Sequence, residues 1–205
     1  LGILNRLRPI NEFDPVLTGE RDPSGGVVIP TITGAAYVGG DDFHRSDDPN
    51  LGDRWNVIKQ TGAGWNILTN KADCTSTGYE YWVNKPKHQD IIVAATVTVA
   101  NNGDGVGVLA RIDINRSDVT GYGAEISQTG VATATLFLVR FFNGTKETLS
   151  SQALSAYTTG TAYLLRLTLS GTTYVARAYE SVTGILVATA TAVDTNLALP
   201  GYVGI

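Results

Sequence analysis

From Ile91 to the carboxyl end, apolar residues recur at every second position, and no other feature constrains the fold as tightly. Ile91, Val93, Ala95, Val97 and Val99 fall on one face of an extended chain. Val106, Val108, Ala110, Ile112 and Ile114 do the same after the turn-forming run Asn101-Asn102-Gly103-Asp104-Gly105. Such alternation matches the pleat of a strand and not the turn of a helix. The pattern continues through 121–128, 131–142, 145–152, 162–170, 173–180 and 185–193, with breaks at Thr129-Gly130, Asn143-Gly144, Ser170-Gly171 and Thr183-Gly184. Asn143-Gly144 is the strongest turn among these, because both residues tolerate the positive φ of a type I′ turn.

Long strands joined by short turns are expected to form an antiparallel meander that closes into two packed sheets, an all-β sandwich. In the strand at 162–170, Tyr163, Leu165, Leu167 and Leu169 are expected in the core, with Arg166, Thr168 and Ser170 facing solvent or a partner. At 205 residues the chain is long enough for one such domain and too short for a second full one. Residues 1–39 differ. They carry Pro9, Pro15, Pro23 and Pro30, lack sustained alternation and run into the glycine-rich stretch Gly34 to Gly40. An extended N-terminal arm is expected there, either wrapped on the sandwich of 40–205 or docked on another subunit.

Charge and composition narrow the partners. Fifteen basic residues against nineteen acidic ones give a net charge of −4, which supplies no field for holding a phosphate backbone. Mean hydropathy is +0.03 with no long apolar run, so neither disorder nor membrane insertion is expected. The single cysteine, Cys74, reads as a half-buried strand residue and leaves the redox compartment open. Arg6 and Arg8 interrupt any signal-peptide core at the start. The bulky Leu1 and the absence of methionine suggest a trimmed chain.

Residues 41–55, DDFHRSDDPNLGDRW, resemble the opening of concanavalin A-like (laminin G-like) jelly-roll domains of bacteriophage virion proteins and some bacterial secreted proteins. Asp42, Phe43, Arg45, Leu51, Gly52 and Trp55 carry the likeness, and His44 stands where Asn is common in that family. It continues through VGVLARID at Val106 to Asp113, Gly121-Tyr122, Phe141-Phe142-Asn143-Gly144 and the closing Gly201 to Ile205. The resemblance covers 41–205 and implies a jelly-roll sandwich. Read from the residues alone, Phe43, Leu51 and Trp55 are apolar anchors that pin a charged loop to the sandwich edge.

Most chemistries lack their residues. Asp41, Asp42, Asp47, Asp48 and Asp53 crowd one loop, but the EF-hand position needing a bidentate Glu is Lys59; a solvated acidic loop beside Arg45 and Arg54 is expected, with a calcium site of another kind as the alternative, and no metal ligand is assigned. Gly105, Gly107 and Ala110 match a nucleotide-loop string, yet they open a strand with no βαβ context, so the match reads as chance. A paired-carboxylate glycosidase run is absent; Glu12-Phe13-Asp14 and Glu20-Arg21-Asp22 come nearest, and both lie in the arm. His44 and His88 stand in neither a zinc nor a nucleophile-elbow spacing. Asn115-Arg116-Ser117 and Asn143-Gly144-Thr145 read as turns. The chain is expected to be no enzyme and to need no cofactor.

A binding face is the remaining candidate. If Val106 to Ile114 buries its Val and Ile set, then Leu109, Arg111 and Asp113 face outward, joined by Glu125, Arg140 and Arg166 in a polar row. Arg111 and Arg140 with a stacking ring from Tyr122 or Trp82 are the candidates for contact with a glycan or a partner. The plainer alternative is a set of cross-strand ion pairs on a solvated face. The resemblance implies a non-enzymatic virion component of minor tail or capsid-surface type. It is expected as a homo-oligomer within an assembly, joined to other virion subunits through the arm and in contact with host-surface glycan. The alternative is a carbohydrate-binding module or lectin domain of an extracellular bacterial protein.

Overall fold

The computed structural model describes residues 2–7, 46, 49, 51–60, 65–67, 72–74, 78–82, 90–116, 118–196 and 200–205. Among these residues the chain forms a sandwich of two antiparallel sheets with seven described strands each, numbered here along the chain. The first sheet runs, in spatial order, β13 (Leu186–Val193), β12 (Thr173–Glu180), β11 (Ala162–Ser170), β6 (Ile91–Val99), β1 (Gly2–Leu7), β4 (Ala72–Cys74) and β3 (Trp65–Ile67). The second runs β10 (Thr145–Ala153), β9 (Thr133–Phe142), β8 (Gly121–Gly130), β7 (Gly105–Ile112), β14 (Tyr202–Gly204), β5 (Gly78–Trp82) and β2 (Trp55–Gln60).

The alternation reads directly onto the core. All five apolar residues of one β6 face are buried, and Tyr163, Leu165, Leu167 and Leu169 of β11 pack in the same cluster with Val106, Val108, Leu136 and Leu138 from the opposite sheet. Burying each Leu fully stabilises the fold by about 2 kcal/mol. Asn143 and Gly144 both have positive φ, 47° and 77°, as the tight turn between β9 and β10 requires. The turn expected at Thr129-Gly130 falls two residues later. Gly130 pairs with Thr133 after a register shift, leaving Val131 and Ala132 at the tip.

Three placements depart from the sequence reading. Gly2–Leu7, taken as the beginning of an arm, is a strand inside the first sheet, paired with both β6 and β4; residues 8–39 lie outside the described residues. Arg166 and Thr168 face away from the core as expected, but they are buried, as is Arg177, which sits opposite Arg166 on β12. The alternation in β7 also breaks before it ends. Arg111 has φ 51°, and Leu109 to Ile112 spans three steps where its partners Gly204 to Tyr202 span two. This one-residue bulge turns Arg111 inward and sends Ile112 to the outer face, which an unbroken period of two cannot anticipate.

Candidate functional site

Three of the four residues picked from the sequence meet, but inside the molecule. Tyr122 has 0% of its surface exposed and Arg111 3%, so neither presents a glycan- or partner-contact surface, and the expected outward row does not form. Arg111 Nη1 donates to Tyr174 Oη at 2.9 Å, and its Nη2 donates to the Gly171 carbonyl at 2.8 Å. The guanidinium carbon lies 5.2 Å from the Tyr174 ring centre, and the Tyr122 and Tyr174 rings are 4.3 Å apart. Tyr174 Oη in turn donates to the Asp194 carbonyl at 2.8 Å.

Arg140 follows Leu136 and Leu138 on the core-facing side of β9. Its Nη1 donates to Asp194 Oδ2 at 2.7 Å, and its Nη2 pairs with Glu147 on β10. The Asn196 backbone N–H and side-chain amide both donate to Asp194 Oδ1. Burial alone would raise the Asp194 pKa. The donors outweigh it: the Asn196 backbone N–H, the Arg140 guanidinium and the Tyr122 hydroxyl together hold the carboxyl below its ordinary value. Because Arg111, Tyr122 and Arg140 belong to the second sheet and Tyr174 to the first, with Asp194 just past β13, the network is a polar clamp between the sheets. Trp82 lies in β5 opposite Trp55; nothing beyond that backbone register is described for it.

The outer face of the second sheet is apolar where the sequence suggested a polar row. Leu109, Ile112, Val119, Val139 and Phe141 form a second buried cluster, flanked by Tyr79, Tyr81, Phe137 and Tyr202. Of the proposed row, Glu125 does face outward, paired with Lys146 at 2.6 Å. Burial, together with the nearby carboxylates of Glu125 and Asp118, raises the Tyr79 hydroxyl above its ordinary value, and the Tyr79 ring packs edge-on to Phe141 at 5.6 Å.

Next to this pair the second sheet opens. β14 is three residues long, between a β7 of eight and a β5 of five. It pairs with β7 only at Leu109 and Ile112, and beside β5 the ladder ends where Ile205 and Glu80 exchange two backbone bonds of 2.9 Å. The β7 residues Gly105 to Gly107 pair with β8 on one side and with no described strand on the other. A cleft of about 390 Å³ fills this space, walled by β7, by Trp65 and Cys74 on the inner side, and by Tyr79, Glu125 and Lys146 on the outer side. On the far wall the Trp65 indole N–H already caps the Gly78 carbonyl at 2.9 Å.

Sequence reasoning noted the glycines at 105 and 107 and took them for a loosened hairpin. It could not see the cleft beside them, because that is lined by residues of β3, β4, β5, β8 and β9 that lie far from them in the chain. The acidic loop lies mostly outside the described residues, as do His44 and His88. Among the described residues no group of three His, Cys, Asp or Glu side chains is placed to hold a metal ion. No family model, curated protein or solved structure matches this chain.

Proposed function

We propose that this chain is a non-enzymatic structural and attachment component of a bacteriophage particle, of minor tail or capsid-surface type, built on a jelly-roll sandwich of concanavalin A-like kind. The likeness of residues 41–55 and of the strands that follow is the source of the viral assignment. The observation that carries the structural role is the inter-sheet clamp. Arg111, Tyr122 and Arg140, the side chains a ligand would need to find at the surface, are used to lock one sheet to the other, which favours a rigid displayed module over a reaction centre. The part of the expected arm that follows β1, residues 8–39, would serve contacts with neighbouring subunits in a homo-oligomeric assembly. Mass spectrometry and electron microscopy of the particle made by the same genome test the reading: the protein should be present in a fixed copy number set by the particle's symmetry. Its absence from purified particles would refute the assignment.

A lectin-like reading is favoured by one feature, the Tyr79–Phe141 ring pair beside the Glu125–Lys146 ion pair, since a ring face with adjacent donor and acceptor is what a sugar needs. It predicts selective binding in a glycan screen that is lost in the Tyr79→Ala variant.

A further inference from the structure

We propose that the outer face of the first sheet holds a binding site for a tetrahedral oxyanion, of the sulfate or phosphate class, between β11 and β12. The site is independent of the assembly reading and needs only the register of these two strands.

Arg166 of β11 and Arg177 of β12 stand directly opposite each other. Their chain neighbours Leu165, Leu167, Ala176 and Ala178 belong to the core, so both arginines lie on the outer face. Opposed residues of antiparallel strands carry their Cβ atoms about 5 Å apart, and like charges placed that way repel. The repulsion grows where water is excluded, and here each arginine is more than nine-tenths buried. Buried charges are ordinarily paired. The register around these two supplies no carboxylate. Their row reads Ala94, Arg166, Arg177, Thr189 across β6, β11, β12 and β13; the next reads Ile92, Thr168, Val175, Thr191, and on the other side stand Thr96, Leu164 and Tyr179. Among the described residues Arg177 has neither a hydrogen-bond acceptor nor an ion-pair partner. A buried guanidinium that donates to nothing calls for an anion.

Thr168 supplies a second, independent observation. It lies two residues beyond Arg166 on the same face of β11, about 7 Å along the strand, and is 3% exposed. Its Oγ1 is buried with no hydrogen-bond partner. Two guanidinium forks and a hydroxyl thus occupy three corners of one patch. A planar carboxylate offers two oxygens, which satisfy the forks and leave the hydroxyl unmet. Sulfate or phosphate offers four, enough for every donor. The outer face of the second sheet, whose buried residues are apolar, presents no comparable set of donors among the described residues.

Isothermal titration calorimetry of the full-length chain tests the site with sodium sulfate, phosphate, acetate and chloride at matched ionic strength. Galactose 6-sulfate and galactose are added to separate a free ion from one carried on a sugar. Sulfate and phosphate should bind saturably and roughly fivefold or more tighter than acetate. Arg177→Gln should weaken sulfate binding about tenfold, and Thr168→Val, which removes only the hydroxyl, several-fold. Galactose 6-sulfate binding more tightly than sulfate would support the site and identify an anionic glycan as the source; sulfate binding at least as tightly would support it with the free ion as occupant. In chloride buffer Arg177→Gln should be at least as stable as the wild type, because it relieves an opposed like charge. A clear loss of stability there would show that the chain itself satisfies the guanidinium and would overturn the proposal. So would heats that fail to saturate or are matched by chloride, acetate binding as tightly as sulfate, galactose binding as tightly as its 6-sulfate, or sulfate binding undiminished in Arg177→Gln.

Discussion

The two ends of β7 solve the same problem in opposite ways. At Ala110 to Ile112 the strand bulges, turns a guanidinium into the interior and satisfies it with a hydroxyl and a carbonyl of the other sheet. At Gly105 to Gly107 it carries two glycines and has no described neighbour on the β14 side. One end is closed by polar bonds that cross the sandwich; the other is left as an edge beside a cleft. Each end also has a buried carboxyl, and the two are displaced in opposite directions. Asp194 is surrounded by donors and held below its ordinary value. Glu80, bonded through its backbone to Ile205, is pushed up by burial to about 7.

The contrast breaks most visibly at the clamp. Asp194→Ala removes the acceptor for Arg140, Asn196 and Tyr122 at once and should cost about 3 kcal/mol in urea unfolding, because it takes a buried acceptor from three donors and leaves the Arg140 guanidinium with Glu147 alone. A loss below about 1 kcal/mol would mean that the network only decorates the interface. The Asp194 contribution is present above the ordinary carboxyl value and is lost as pH falls through the folded value, so the wild type should lose stability in acid more steeply than Asp194→Asn.

At the open end, Gly107→Ala and Gly105→Ala separate a backbone constraint from empty space. A methyl at Gly107 would lie 2.3 Å from the Ala124 carbonyl oxygen, whereas at Gly105 the obstacle is the movable Glu125 carboxylate. Thermal unfolding should show a loss of about 2 kcal/mol for the first, as overpacking against fixed atoms produces, and a loss below about 0.5 kcal/mol for the second.

Glu80 sharpens the same comparison through pH. Its folded pKa of about 7 lies above the ordinary 4.5, so its contribution to stability is fully present below pH 4.5 and is lost as pH rises toward 7. With allowance for screening by solvent, the loss amounts to roughly 2 kcal/mol. Glu80→Gln should flatten that slope and leave the protein more stable than the wild type at pH 8; an unchanged slope would show that the carboxyl ionises freely. The smallest effect belongs to Lys146→Ala, which removes a half-exposed ion pair and should change stability by less than about 1 kcal/mol.

Strand positions and core faces were legible from residue 91 onward because each side chain there reports its own environment: period two names the buried face of β6 and β11 without reference to any other strand. The candidate site was not. Arg111 was singled out as an outward group on a regular strand, but its bulge depends on how β7 meets both β8 and β14; Tyr122 was singled out as an exposed stacking ring, although it alternates with Ala124 and Ile126 on the inner face of β8. Tyr79 and Lys146 gave no local signal. They matter because they line the cleft that β7 and β5 border as neighbours of β14, an order of strands that no window of sequence contains.

Residue-resolved hydrogen exchange of the isolated protein by NMR tests the contrast between the two ends most directly. Among the β7 amides directed away from β8, those between Gly105 and Val108 should exchange quickly and those between Leu109 and Ile112 slowly, a graded edge along one strand. Uniformly slow exchange along all of β7 would contradict it, because the two ends of the strand would then be held alike.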